Sequence, residues 1–152
     1  MNLSFQEDIA LPQDAAFAAL TDFDALIAAF MPRGGAVARL DGPGPVCVGT
    51  AWRTVVALHG LERVLTARIH TLCPQDRFSI QGEMDGIVAQ LDVALDPAGQ
   101  DCSRAQVDLN LAARSLRGKV LMQPLRLVRA QIAEKMAARL SRYARRIEAR
   151  RG

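Results

Sequence analysis

Between residues 51 and 113 apolar and polar side chains alternate with a period of two, and two turn dipeptides set how the runs must pair. A two-residue turn at His59-Gly60 sets Leu58 opposite Leu61, Val56 opposite Arg63, Thr54 opposite Leu65 and Trp52 opposite Ala67, so nearly every partner on that face is apolar. Asp85-Gly86 is a stronger hairpin signal. It sets Met84 opposite Ile87, Gly82 opposite Ala89, Ile80 opposite Leu91 and Phe78 opposite Val93, a wholly apolar face. The other faces carry Glu62, Thr66, Arg68 and His70, then Gln81, Glu83, Gln90 and Asp92, as in an antiparallel sheet with one wet side. A last run alternates Ala105, Val107, Leu109 and Leu111 with Arg104, Gln106, Asp108 and Asn110.

The period changes after residue 114. Leu121, Leu125, Val128, Ile132, Met136, Leu140, Tyr143 and Ile147 step by three or four, one apolar stripe on a helix running from Ser115, its N-cap, to Arg151. Ile132 is expected to be a central contact. Pro124 lacks a donor and clashes with the preceding turn, so a kink or restart is expected near Gln123. At the other end of the chain, Leu3, Phe5 and Ile9 mark a first strand. Two short helices follow, one capped by Asp14 with Phe17 and Leu20 inward, one capped by Asp22 that buries Phe23, Leu26, Ile27 and Phe30 and ends at Pro32 and Gly34-Gly35. A brief strand spans Val37 to Leu40, and Asp41 to Gly49 is a loop rich in Gly and Pro. About seven strands and a long C-terminal helix define an α+β fold, with residues 1–152 as one domain.

This order resembles the helix-grip fold of the START-like (SRPBCC, Bet v 1-like, polyketide cyclase-like) superfamily. The local signs are the run Ile9-Ala10-Leu11-Pro12-Gln13-Asp14-Ala15-Ala16-Phe17-Ala18-Ala19-Leu20-Thr21-Asp22-Phe23-Asp24 and the strand opening Gly49-Thr50-Ala51-Trp52. These are packing motifs without catalytic residues. The resemblance implies a curved antiparallel sheet around the long helix and an internal apolar cavity for a hydrophobic or amphipathic ligand such as a lipid, isoprenoid or polyketide-like aromatic. Enzymes of the superfamily place polar groups in that cavity. This chain offers few, so a binding or transport module is expected rather than a polyketide cyclase or aromatase, the alternative.

The expected cavity lining is Trp52, Thr54, Val56, Leu65, Ile80, Leu91, Val93 and Leu109 from the sheet, with Ile132 and Met136 from the helix. Arg63 shares that face. Its guanidinium either grips a ligand carboxylate or phosphate, or reaches water or an acidic residue such as Asp24. No metal site or Ser-His-acid arrangement is expected, because His59 falls in a turn and His70 on a wet face. Gly42-Pro43-Gly44-Pro45 lacks the following Lys of a phosphate loop. No cofactor is expected.

Charge adds a second feature. Residues 1–113 hold 7 Arg and no Lys against 14 acidic residues, whereas residues 114–152 hold 12 basic against 2 acidic, so the net of +3 hides a dipole. Lys135, Arg139, Arg142 and Arg146 form a cationic row that could meet an anionic membrane surface or pair with the acidic remainder. Nucleic acid is not expected, since only Tyr143 interleaves the row. Without a signal peptide or an apolar run of about twenty residues, and with three separated cysteines, a cytoplasmic protein with reduced thiols is expected.

Overall fold

The computed structural model describes residues 1–30, 37–40, 42, 44–58 and 60–151, and the accounts below concern these. Pro32, Gly34-Gly35, Asp41, Pro43 and His59 lie outside them, as does the side chain of Phe30. The elements run β1 (Asn2–Ile9), α1 (Gln13–Leu20), α2 (Phe23–Phe30), β2 (Val37–Arg39), β3 (Ala51–Leu58), β4 (Leu61–Cys73), β5 (Arg77–Met84), β6 (Ile87–Pro97), β7 (Ser103–Ala113), α3 (Leu116–Leu127) and α4 (Arg129–Arg151).

Seven antiparallel strands form one sheet in the order β1-β7-β6-β5-β4-β3-β2, a meander closed on one side by β1. Both hairpins have the register that alternation dictates: Thr54 opposes Leu65, and Ile80 opposes Leu91. Asp85 and Gly86 both have positive φ, 48° and 83°, the backbone of a type I′ turn. Local geometry and side-chain burial agree here, because a slip of one residue would turn every apolar side chain to water. An irregularity between Ile69 and Thr71 shifts the β4–β5 register, so that Ile69 opposes Ile80 but Leu72 opposes Phe78. His70 absorbs the extra residue and faces outward, exposed.

The main core lies between the concave sheet face and the helices. It joins Ile9, Phe17, Leu20 and Phe23 to Trp52, Ile69, Phe78 and Leu95, and to Leu140, Tyr143, Ala144 and Ile147 of α4. Phe78 packs edge-on to Phe23 at 5.1 Å and to Phe17 at 6.2 Å between ring centres, which locks α1 and α2 onto one end of the sheet. Asp14 is not the cap of α1. Pro12 occupies that position, its fixed φ suiting the helix start, while Asp14 sits in the first turn and accepts from the Ala15 N–H.

The C-terminal region is two helices rather than one kinked at Gln123. Pro124 sits inside α3, and the break comes at Val128, whose φ of −108° and ψ of 25° end the helix before α4 restarts. Pro124 and Val120 are both exposed, so the Val120 carbonyl deprived of its Pro124 partner faces water, and the proline costs little where it stands. Ser115 caps α3 as expected, its hydroxyl accepting from the Gly118 N–H at 3.1 Å. None of the described helices is long and apolar enough to cross a membrane.

Candidate functional site

The concave face and the helices line a partly open cavity of about 170 Å3. Each wall follows from an element already placed. Trp52 and Thr54 come from β3, Leu65 from β4, Ile80 from β5, Leu91 and Val93 from β6, and Leu109 from β7, all inward positions of alternating strands. Met136 and Leu140 of α4 form the facing wall, and Leu20, Leu26 and Ile27 of α1 and α2 close one end. Eight of the expected lining residues therefore meet around one space: Trp52, Thr54, Leu65, Ile80, Leu91, Val93, Leu109 and Met136.

Val56, Arg63 and Ile132 are not among the lining residues. Val56 and Arg63 pair with each other farther along the β3–β4 hairpin, past Thr54 and Leu65. Ile132 falls in the first turn of α4 after the break, where it is half-buried and belongs to neither core cluster. Along the apolar stripe of α4 burial deepens toward the C-terminus, from half-buried Ile132 to buried Tyr143 and Ile147. The expected lining also left out Ala67, Phe78, Ala105 and Val107 of the sheet, and Phe5, Leu20, Leu26, Ile27 and Leu140 from β1 and the helices. All were legible as inward-facing, but only the assembled fold brings the α1–α2 pair across the end of the sheet.

Arg63 is buried, 8% exposed, and its Nη1 donates to Asp85 Oδ2 at 2.6 Å. The expected acidic partner is thus Asp85, not Asp24. The acid comes from the β5–β6 turn, which strand pairing brings beside β4, and Arg117 of α3 approaches the same carboxylate at 3.8 Å. Asp24 is engaged elsewhere, accepting from Trp52 Nε1 at 2.7 Å, so the indole's one donor is satisfied while its ring lines the cavity. Asp85→Asn keeps the turn, since Asn tolerates positive φ, but removes the charge facing Arg63. Because Asp85 is partly exposed, a loss of about 1 to 2 kcal/mol in denaturant unfolding is expected.

The remaining chemistry is sparse. Thr54 is buried, and its hydroxyl makes no hydrogen bond among the described residues. Burial, with the Asp22 charge nearby, pushes the Tyr143 phenol above its ordinary value, so this group is neutral. The described residues contain no group of His, Cys, Asp and Glu that could hold a metal ion, and Cys47, Cys73 and Cys102 are free thiols. In α4, Lys135, Arg142 and Arg146 are exposed and Arg139 is half-buried, while Arg145 ties the helix to β1 through Glu7 at 3.1 Å. The apolar residues beside that row, Leu140, Tyr143 and Ile147, are all buried.

This seven-stranded antiparallel sheet against a long C-terminal helix is a helix-grip fold. No family profile matches the sequence, and no curated protein does. Among solved structures, a protein from Thermus thermophilus superposes with a TM-score of 0.73 at 15% identity, covering 100% of both chains. The Zhui aromatase/cyclase from Streptomyces gives 0.71 at 15% identity, over 100% of this chain and 96% of that one. Norcoclaurine synthase from Thalictrum flavum gives 0.68 at 10% identity, again over 100% and 96%. At such identities the likeness is one of fold.

Proposed function

We propose that this protein binds a compact, neutral hydrophobic or amphipathic small molecule in the cavity between its sheet and α4, as a carrier or sensor rather than an acid/base enzyme. The observation that carries the reading is the apolar pocket itself. An apolar cavity of roughly 150 Å3 stays dry and takes up benzene, so one of about 170 Å3 suits a ligand of one or two rings or an equivalent isoprenoid or acyl fragment. The described lining residues carry no ionisable side chain, so a charged ligand would lose hydration without compensation from them. Among the described lining residues Thr54 offers the one hydroxyl, enough to meet a single polar group after a turn about its χ1.

Comparison with solved structures supports a small-molecule ligand. One norcoclaurine synthase structure of this fold holds dopamine and hydroxybenzaldehyde. The aromatase/cyclase among the similar structures supplies the rival reading, a polyketide cyclase or aromatase. That chemistry calls for two or more polar side chains converging on a common point, and Thr54 alone does not provide it.

The test uses Trp52, the only tryptophan, which lines the cavity. Titration with 2-naphthol should quench or shift its emission saturably. Ala67→Phe, opposite Trp52, should weaken that binding by at least about tenfold while the fold survives. In a solid core the same change would overpack by about 1 to 3 kcal/mol with no binding to lose. Emission that does not saturate with the native protein would refute the proposal.

A further inference from the structure

Helix α3 is apolar on two opposite faces. Leu121 and Met122 are buried against Ile87, with Leu125 packed beside them. On the other side Leu116, Val120 and Leu127 are 79%, 61% and 85% exposed. At about 100° per residue, these three and exposed Pro124 fall within one stripe about 80° wide, turned away from the core face. Lys119, Gln123 and Arg126 run along one flank of that stripe, and Arg117 stands on the other. No acidic residue occurs from 115 to 133. Gathered in one row rather than scattered singly, such exposed aliphatic side chains mark an interaction surface.

We infer that α3 is a docking surface for an anionic lipid bilayer, lying in the interface with Leu116, Val120 and Leu127 inserted among the acyl chains and Lys119 and Arg126 at the headgroups. An aliphatic stripe between cations is the pattern of an interfacial helix. A second copy of the chain fits less well, because a two-fold contact through this stripe would bring the cations of both copies together. A protein partner fits less well too. The stripe is about 17 Å long and one side chain wide, short of the roughly 800 Å2 per partner of a stable interface, whereas a bilayer needs only a few inserted side chains and the field of the cations. The α4 row of Lys135, Arg139, Arg142 and Arg146 has charge but, among the described residues, no large exposed apolar companions, so docking is assigned to α3. The inference is independent of what fills the cavity.

The experiment is co-sedimentation of the full chain with vesicles of phosphatidylcholine, alone or with roughly one-third phosphatidylglycerol. Saturable binding is expected to the anionic vesicles, at least about tenfold weaker to phosphatidylcholine, and falling as salt is raised. Leu116→Gln with Leu127→Gln should lower the affinity by about tenfold or more at unchanged thermal midpoint, since both side chains are already in water. Lys119→Gln with Arg126→Gln should also weaken it, while Arg142→Gln with Arg146→Gln should leave it within about twofold. No binding to anionic vesicles would overturn the assignment. So would binding lost only with the α4 pair, or a dimer in lipid-free buffer that the leucine substitutions dissolve.

Discussion

Ile147→Asp is expected to unfold the protein at ambient temperature, or to leave it so marginal that its urea midpoint falls below measurement. Ile147 is 1% exposed and packs in the main core with residues of β1 and α1, where the long helix closes over the sheet. The substitution removes a buried aliphatic side chain, worth roughly 2 to 5 kcal/mol, and puts in its place a carboxylate among the apolar described residues of the core. Together these match or exceed the roughly 5 to 15 kcal/mol of stability that a domain has. Ile132→Asp, fifteen residues earlier on the same stripe, is expected to cost only about 1 kcal/mol, because Ile132 is half-buried and lies outside both core clusters. Periodicity alone ranks the two positions as equals. Equal loss of urea midpoint in the two variants would show that the helix face is buried uniformly, contrary to the gradient from Ile132 to Ile147.

Gly118→Ala should destabilise the protein by about 2 to 3 kcal/mol although alanine is the better helix former by about 1 kcal/mol. Gly118 lies where the β5–β6 turn docks on the start of α3, and a Cβ there would overlap the Gly86 carbonyl. Backbone stands on both sides of that contact, so no flexible side chain can yield. The turn and helix would have to separate, which strains the Arg114 N–H bond to the Gly86 carbonyl at 2.7 Å and the Ser115 cap on Gly118 at 3.1 Å. Gly82→Ala provides the contrast. Its Cβ would meet Leu65 Cδ1 at 3.5 Å, ordinary contact, on a strand where alanine is the less costly residue in entropy. Calorimetric unfolding should show opposite signs for the two, with Gly82→Ala unchanged or slightly more stable. A neutral Gly118→Ala would mean that hairpin and helix are not held together there.

Strand pairing was legible in the amino-acid pattern because its causes are local. Alternation at Trp52, Thr54 and Val56 and the dipeptide Asp85-Gly86 act within a few residues, and any slip would expose a whole apolar face. The identity of the cap on α3 was legible for the same reason, since Ser115 bonds three residues ahead. That seven expected wall residues of the sheet face one space also followed from inward register, although Val56, in the same register, lies too far along its hairpin to reach it. What remained hidden was distance between elements. Arg63 pairs with Asp85 rather than Asp24 because β4–β5 pairing carries the turn to it while Trp52 occupies Asp24, and both acids look alike in sequence. The apolar stripe from Leu121 to Ile147 names positions but not depth: depth comes from β1, α1 and α2 gathering at one end of α4, leaving Ile132 half-covered and the outer face of α3 in water. The empty space itself was beyond any local pattern, because the volume left between a sheet and a helix depends on how closely every other contact lets them approach.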